Sequence, residues 1–151
     1  MQIPKSQLAK AELKFSYTPP QNPVKIRSDL QSVAFMREIW DDDLMAVQEQ
    51  FYAIFLNNQH EVISWRCVHT GGADCCLIDA KILFALACGC LASSMVIAHN
   101  HPSGSFKPSF EDREMTAIVA KIAQIFQIKL LDSLIINKVG SYSILHSIKI
   151  D

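Results

Sequence analysis

The sequence lacks a long apolar run of membrane-spanning length, and no apolar signal core follows its first six residues. It also lacks an excess of charge, because 14 lysine and arginine residues against 15 aspartate and glutamate residues leave a formal net charge of -1. We therefore expect a cytoplasmic protein with no membrane partner. The balanced charge gives no support to DNA binding, although a near-zero net charge is compatible with a local basic patch.

The cysteines also form no spacing that is typical of a disulfide framework or a metal site. The five cysteines are an odd number and form no Cys-x-x-Cys pair, so reduced thiols are expected. Cys88 and Cys90 fall in an apolar helical run and are predicted to be small core residues. The sequence indicates no base near Cys75-Cys76 that would activate either thiol as a nucleophile.

A length of 151 residues with 50% hydrophobic content predicts one globular domain. Proline-rich residues 1–27 are interpreted as a surface arm with one early strand over Glu12 to Tyr17, and residues 28–151 as the domain. Helices are predicted after three N-caps, and strands in five further segments. The caps are Ser28, Asp79 and Ser109, and the strands are Gln50 to Leu56, Glu61 to Cys67, Ser94 to Ala98, Lys129 to Ile136 and Ser141 to Leu145.

This order of elements predicts an α/β sandwich in which helices cover a mixed sheet. The helix after Asp79 is apolar on most sides and is expected to be well buried. The acidic run Asp41-Asp42-Asp43 could suggest a cation site, but consecutive carboxylates are more typical of a solvated loop or cap.

One short segment concentrates metal-ligand side chains. His99 and His101 stand two apart at the end of the Ser94 to Ala98 strand, so they point to the same side. Asp112 follows in the first turn of the helix that Ser109 caps. Two histidines and one carboxylate are the ligand number of a catalytic zinc with an open fourth position. The alternatives are a plain Ser109-x-x-Asp112 capping pair and ordinary turn histidines.

A water activated by zinc still needs a base to take its proton. Glu38, Glu49 and Glu61 all flank predicted elements, and spacing does not choose between them, although Glu49 lies well placed at the start of the first central strand. Ser109 either donates its hydroxyl to the developing oxyanion or is only a helix cap.

Two other metal motifs fit poorly. The letters His99-Asn100-His101 spell a nuclease motif whose residues are in fact spread over a ββα unit. The zinc-deaminase pattern needs H-x-E followed by P-C-x-x-C, whereas residue 101 is His and no later cysteine exists.

His99-x-His101, seven residues, then Ser109-x-x-Asp112 resembles the JAMM/MPN+ (JAB) metalloprotease signature, and residues 99–104 with Pro108 resemble its RadC branch. The likeness extends from about Ile26 to His146. It implies a three-layer, cytidine-deaminase-like α/β/α fold with a mixed sheet.

By this resemblance Glu49 corresponds to the family's glutamate base, His99, His101 and Asp112 to its zinc ligands, and Ser109 to its oxyanion-side serine. The implied activity is zinc-dependent hydrolysis of peptide or isopeptide bonds in a protein or peptide substrate. The alternative is a non-enzymatic accessory protein that keeps the metal for structure and binds DNA or a DNA-repair protein.

The sequence departs from the family pattern at two places. Ser133 stands where relatives tend to have His after Leu-Asp, and Asp79-Ala80-Lys81 stands where they favour Pro-Arg. It also lacks the N-terminal helix-hairpin-helix region of longer RadC proteins. The two substitutions affect contacts around the ligands or the substrate groove and leave the ligands in place.

Overall fold

The computed structural model describes Thr18 and residues 20–71 and 78–150. The early strand expected over Glu12 to Tyr17, and the Cys75-Cys76 pair, lie outside the described residues. Within them the chain forms three helices and six strands. In chain order these are α1 (Asp29–Ile39), β1 (Gln50–Leu56), β2 (Val62–Thr70), α2 (Ala80–Gly89), β3 (Ser94–His99), α3 (Phe110–Ile125), β4 (Lys129–Ile136), β5 (Ser141–Ser143) and β6 (Ile148–Ile150).

The six strands form one sheet in the order β2-β1-β3-β4-β5-β6. Only the β3-β4 pair is parallel, and the other neighbours are antiparallel. The expected α/β architecture with a mixed sheet is therefore confirmed. α3 connects the two parallel strands, as a crossover between parallel neighbours requires.

Each face of the sheet carries its own apolar cluster because side chains alternate along a strand. On one face, Tyr52 and Ile54 of β1 pack with Val33 and Met36 of α1. On the other face, residues of β1 and β3 pack with α2 and α3 in a second cluster, which includes Phe51, Phe55, Ile97, Leu83 and Val119. β1 and β3 are buried along their whole length, which explains their continuous apolar sequences.

The three predicted N-caps are confirmed. The side chains of Ser28, Asp79 and Ser109 each accept a hydrogen bond from a backbone N–H in the first turn of the helix that follows. The acidic run after α1 is an exposed turn in which Asp43 N–H donates to Asp41 Oδ1 at 3.1 Å, as expected of a solvated loop.

The expected deep burial of α2 is wrong. Leu83, Phe84 and Ala87 are buried, but Ile82 is 48% exposed and Cys88 is exposed. The prediction that Cys88 is a core residue is wrong for the same reason. Cys90 is half-buried and packs against the second apolar cluster, so its prediction holds in part. A helix that lies on a sheet buries one stripe, and apolar composition alone does not say whether a second layer covers the rest.

The C-terminal end also differs from expectation. The predicted strand over Ser141 to Leu145 stops at Ser143, and a turn leads to β6, which the sequence analysis missed. Ser147 adopts a positive φ of 56°, which allows the chain to reverse within a few residues. In the described part of the chain, no helix is long and apolar enough to cross a membrane.

Candidate metal centre

The start of β1 and the end of β3 meet at one edge of the sheet. The two strands are antiparallel, with Phe51 opposite His99. Ile97 and Phe51 both face the α2/α3 side. His99, two residues after Ile97, and Glu49, two residues before Phe51 and just ahead of β1, therefore continue on that side. Strand alternation thus directs the two groups toward α3.

Three ligand atoms converge at this edge. His99 Nε2 lies 3.2 Å from His101 Nε2 and 3.0 Å from Asp112 Oδ1, and His101 Nε2 lies 3.3 Å from Asp112 Oδ2. Ligand atoms on a tetrahedral zinc with bonds of 2.0–2.1 Å are about 3.3 Å apart. The separations and the donor set of two imidazoles and one carboxylate therefore fit a zinc ion.

The capping and metal interpretations of Ser109 and Asp112 turn out to be compatible. Ser109 Oγ accepts from Asp112 N–H at 3.0 Å, and Asp112 Oδ2 accepts from Ser109 N–H at 2.7 Å, which completes a capping box. The same carboxylate faces His99 and His101. The cap therefore fixes the carboxylate in the orientation in which its oxygens meet the imidazoles.

His101 is held in one tautomer. Its Nδ1 lies 3.1 Å from the carbonyl oxygen of Ser105, and a carbonyl only accepts, so Nδ1 carries the proton and donates. The Nε2 lone pair of the neutral ring is then available for a metal. The loop containing Ser105 is in turn tied to the turn after β4, where Asn137 Nδ2 donates to Gly104 O at 2.6 Å.

Asn100 is a site residue that the sequence analysis missed. It is fully buried, and its Nδ2 donates to Met45 O at 2.7 Å and to Gln48 O at 2.9 Å. Its Oδ1 accepts from Gln50 N–H at 2.7 Å. These bonds anchor the segment before β1, which contains Glu49. The only signal in the sequence is an amide side chain between two metal-ligand candidates.

The three glutamates that the sequence left open are placed differently. Glu49 lines the cavity beside the histidines. Glu61 lies at the far end of the β1-β2 hairpin, where it bonds Lys25 Nζ at 3.2 Å and Asn57 Nδ2 at 2.9 Å. Glu38 lies on α1, which covers the opposite face of the sheet. Of the three, only Glu49 shares a cavity with the ligand cluster.

The charges of the cluster shift its proton equilibria. Burial raises the pKa of the Asp112 carboxyl, but hydrogen bonds from His101 and His99 outweigh it, and the pKa lies far below its usual value. The hydrogen bond to Asp112 raises the pKa of His101. Burial raises the pKa of Glu49, and the nearby His99 and His101 offset only part of that rise. A raised pKa is suited to a group that takes and returns protons.

The cluster opens into a cavity of about 770 Å³. Its walls combine the polar groups Glu49, Ser109 and Asp112 with an apolar side formed by Phe51, Ile78, Ala80, Met115, Ile118 and Val119. Such a cavity, apolar with a few converging polar groups, is typical of a substrate site.

The two departures from the family pattern lie near the ligands without replacing them. Ser133 is buried and shares a 2.8 Å hydrogen bond with Thr116, one turn beyond Asp112 on α3. This bond joins β4 to the helix that carries Asp112. Asp79 caps α2 by accepting from Lys81 N–H at 2.8 Å, and Ala80 forms part of the cavity wall.

Residues 26–149 match the family model described as RadC-like JAB domain. The chain belongs to that family. The resemblance drawn from the sequence signature is thereby confirmed, and the match includes the ligand cluster, Glu49 and Ser109.

Relatives of this RadC-like JAB domain carry names that give no function. It is 36% identical over 95 residues to a UPF0758 protein of Flavobacterium johnsoniae, covering 63% of this chain and 42% of the relative. It is 32% identical over 121 residues to a UPF0758 protein of Actinobacillus succinogenes, covering 80% of this chain and 50% of the relative. The chain spans half the length, or less, of these curated relatives.

Proposed function

We propose that this RadC-like JAB domain is a zinc-dependent hydrolase that cleaves peptide or isopeptide bonds. The observation that carries the proposal is the convergence of His99 Nε2, His101 Nε2 and the Asp112 carboxylate to within 3.0–3.3 Å of one another. Three ligands leave a fourth position for water, which is typical of catalytic zinc.

Bound zinc would acidify a water molecule and polarise the scissile carbonyl. The protein supplies the remaining groups. Glu49, whose pKa is raised by burial, takes the proton of the attacking water and returns it to the leaving amine. The Ser109 hydroxyl accepts from Asp112 N–H, so its own proton stays free to donate to the developing oxyanion.

The cavity supports a protein or peptide as the substrate class. Its apolar wall of Met115, Ile118 and Val119 offers contact area to an apolar side chain next to the scissile bond. Lys107 and Glu111 also line the cavity and give polar contacts to a peptide backbone.

The test is hydrolysis by the zinc-loaded chain of a fluorogenic library that contains both peptide and lysine-isopeptide bonds. We expect turnover that a chelator abolishes, and Glu49→Gln should lower it about 100- to 10,000-fold while zinc content is unchanged. Glu38→Gln, on the exposed side of α1, is the matched control and should keep full activity.

A Glu49→Gln variant as active as the wild type would contradict the role of Glu49. Absence of turnover throughout the library, together with binding of a DNA duplex by the zinc-loaded chain, would instead favour the non-enzymatic accessory protein.

A further inference from the structure

A second cluster of ligand atoms lies on the opposite face of the sheet. On β4, Ser133 faces α3 through its bond with Thr116, so the preceding Asp132 faces α1. There Asp132 meets Asp29, the first residue of α1, and His146, in the turn between β5 and β6. Asp132 is paired along the sheet with Val96, three residues before His99, so the cluster is separate from the ligands of the first centre.

The three ligand atoms of this second cluster lie within 4.8 Å of one another. His146 Nδ1 is 3.0 Å from Asp29 Oδ2 and 3.9 Å from Asp132 Oδ2. These separations bracket the value of about 3.3 Å that a tetrahedral zinc requires. Small movements of the exposed Asp29 and His146 side chains would place all three ligand atoms around one metal position.

Asp132 gives independent support for a bound cation. Its side chain is only 2% exposed, and its Oδ1 accepts from Ser133 N–H and from Ser143 Oγ, both at 2.7 Å. Its Oδ2 is buried, has no hydrogen-bond partner among the described residues, and is directed at the cluster. A buried carboxylate oxygen without a partner is unfavourable unless a cation or donor meets it.

Protonation of Asp132 does not by itself give Oδ2 a hydrogen-bond partner. Burial raises the pKa of the carboxyl, which favours the neutral acid. The proton on Oδ2 would then need an acceptor, and His146 Nδ1 at 3.9 Å is beyond hydrogen-bond reach. A cation between the three atoms would displace that proton and satisfy Oδ2 of the ionised carboxylate.

We propose that Asp29, Asp132 and His146 form a second metal site that binds zinc. Two carboxylates and one imidazole are a donor set that zinc accepts, with a fourth position left for water. The side chains of His146 and Asp29 are 47% and 31% exposed, so the ion reaches the site directly from solvent.

The bound ion would join three separate elements: the start of α1, the middle of β4 and the β5-β6 turn. Binding would therefore tie the start of α1 and the β5-β6 turn to β4. Because its atoms are more exposed and farther apart than those of the first cluster, we expect it to bind zinc more weakly.

The alternative is that protonated His146 forms ion pairs with the two carboxylates and no metal binds. A zinc titration of the metal-free 151-residue chain separates the two, with bound zinc measured by elemental analysis after ultrafiltration. We expect the wild type to bind two zinc ions per chain. His146→Ala and His101→Ala should each bind one, and the double variant should bind none.

His60→Asn is the matched control, since His60 is an exposed histidine at the β1-β2 turn and its φ of 61° suits asparagine. It should bind two ions like the wild type. Asp29→Ala provides a second route to the same site and should bind one. Saturation of the wild type at one ion that His146→Ala also binds, or two ions bound by both His146→Ala and Asp29→Ala, would overturn the second site.

Discussion

The side-chain oxygen of Asn100 accepts a 2.7 Å hydrogen bond from the backbone N–H of Gln50, although the two residues are 50 positions apart. Asn100 stands between His99 and His101, and Gln50 directly follows Glu49. This bond therefore sets the distance between the ligand strand and the segment that carries the proposed base. Gly71 N–H, which donates to Glu49 O at 2.8 Å, holds the same segment from the other side.

We predict that Asn100→Ala destabilises the protein and displaces Glu49. The substitution leaves Met45 O, Gln48 O and Gln50 N–H without their partner in a buried place. At about 1–3 kcal/mol for each of these three unpaired groups, the free energy of unfolding should fall by about 3 kcal/mol or more. Urea unfolding measures this, with Asn58→Ala at an exposed turn position as control. An unchanged midpoint would contradict the anchoring role.

Ser109 can be tested for its two roles separately. Ser109→Ala removes both the cap and the hydroxyl, and should cost about 1 kcal/mol in stability as well as hydrolytic activity. Ser109→Asp keeps a capping oxygen but no proton to donate, so it should keep stability and lose activity. Thermal unfolding and turnover of the same preparations give both readouts. Full activity of the Asp variant would show that Ser109 is only a cap.

The cluster predicts a defined pH dependence of metal-free stability. The pKa of His101 is raised in the fold, so its contribution is fully present below the unfolded value of about 6.5 and is lost as pH rises through the folded value. The pKa of Asp112 is lowered, so its contribution is present above about 3.9 and is lost as pH falls toward the folded value. The pair should therefore stabilise the metal-free chain most between about pH 4 and 6.5.

Urea unfolding of the chelator-treated chain across pH 3 to 9 checks this, and His101→Ala should flatten the decline on the alkaline side. A metal-free stability that rises steadily from pH 6 to 9 in the wild type, but not in His101→Ala, would contradict the assigned shift.

Zinc removal should leave the fold in place. Both faces of the sheet carry apolar clusters that need no metal, with Met36 and Ile54 in one and Leu83 and Ile97 in the other. We expect the circular-dichroism spectrum to survive chelation. The melting temperature should fall by about 5–10 °C from its value at free zinc of about 100 times the dissociation constant. Complete loss of the spectrum would indicate that the metal is required for folding.

The sequence by itself determined the local features of this protein. Capping side chains, strand alternation and helix periodicity act over a few residues, so Ser28, Asp79 and Ser109 could be recognised as caps and β1 and β4 as strands. The spacing of His99 and His101 follows from the same two-residue period. These features depend on neighbours in the chain, which the sequence displays directly.

Only the tertiary structure decided which distant groups meet. The antiparallel β1-β3 pairing brings Glu49 to the histidines and leaves Glu61 at the far end of the hairpin. Asp29 and His146 are 117 positions apart and come together over Asp132 because α1 packs on the face opposite α3. Such contacts depend on strand order and on which face each helix covers, and local sequence patterns do not indicate either of these.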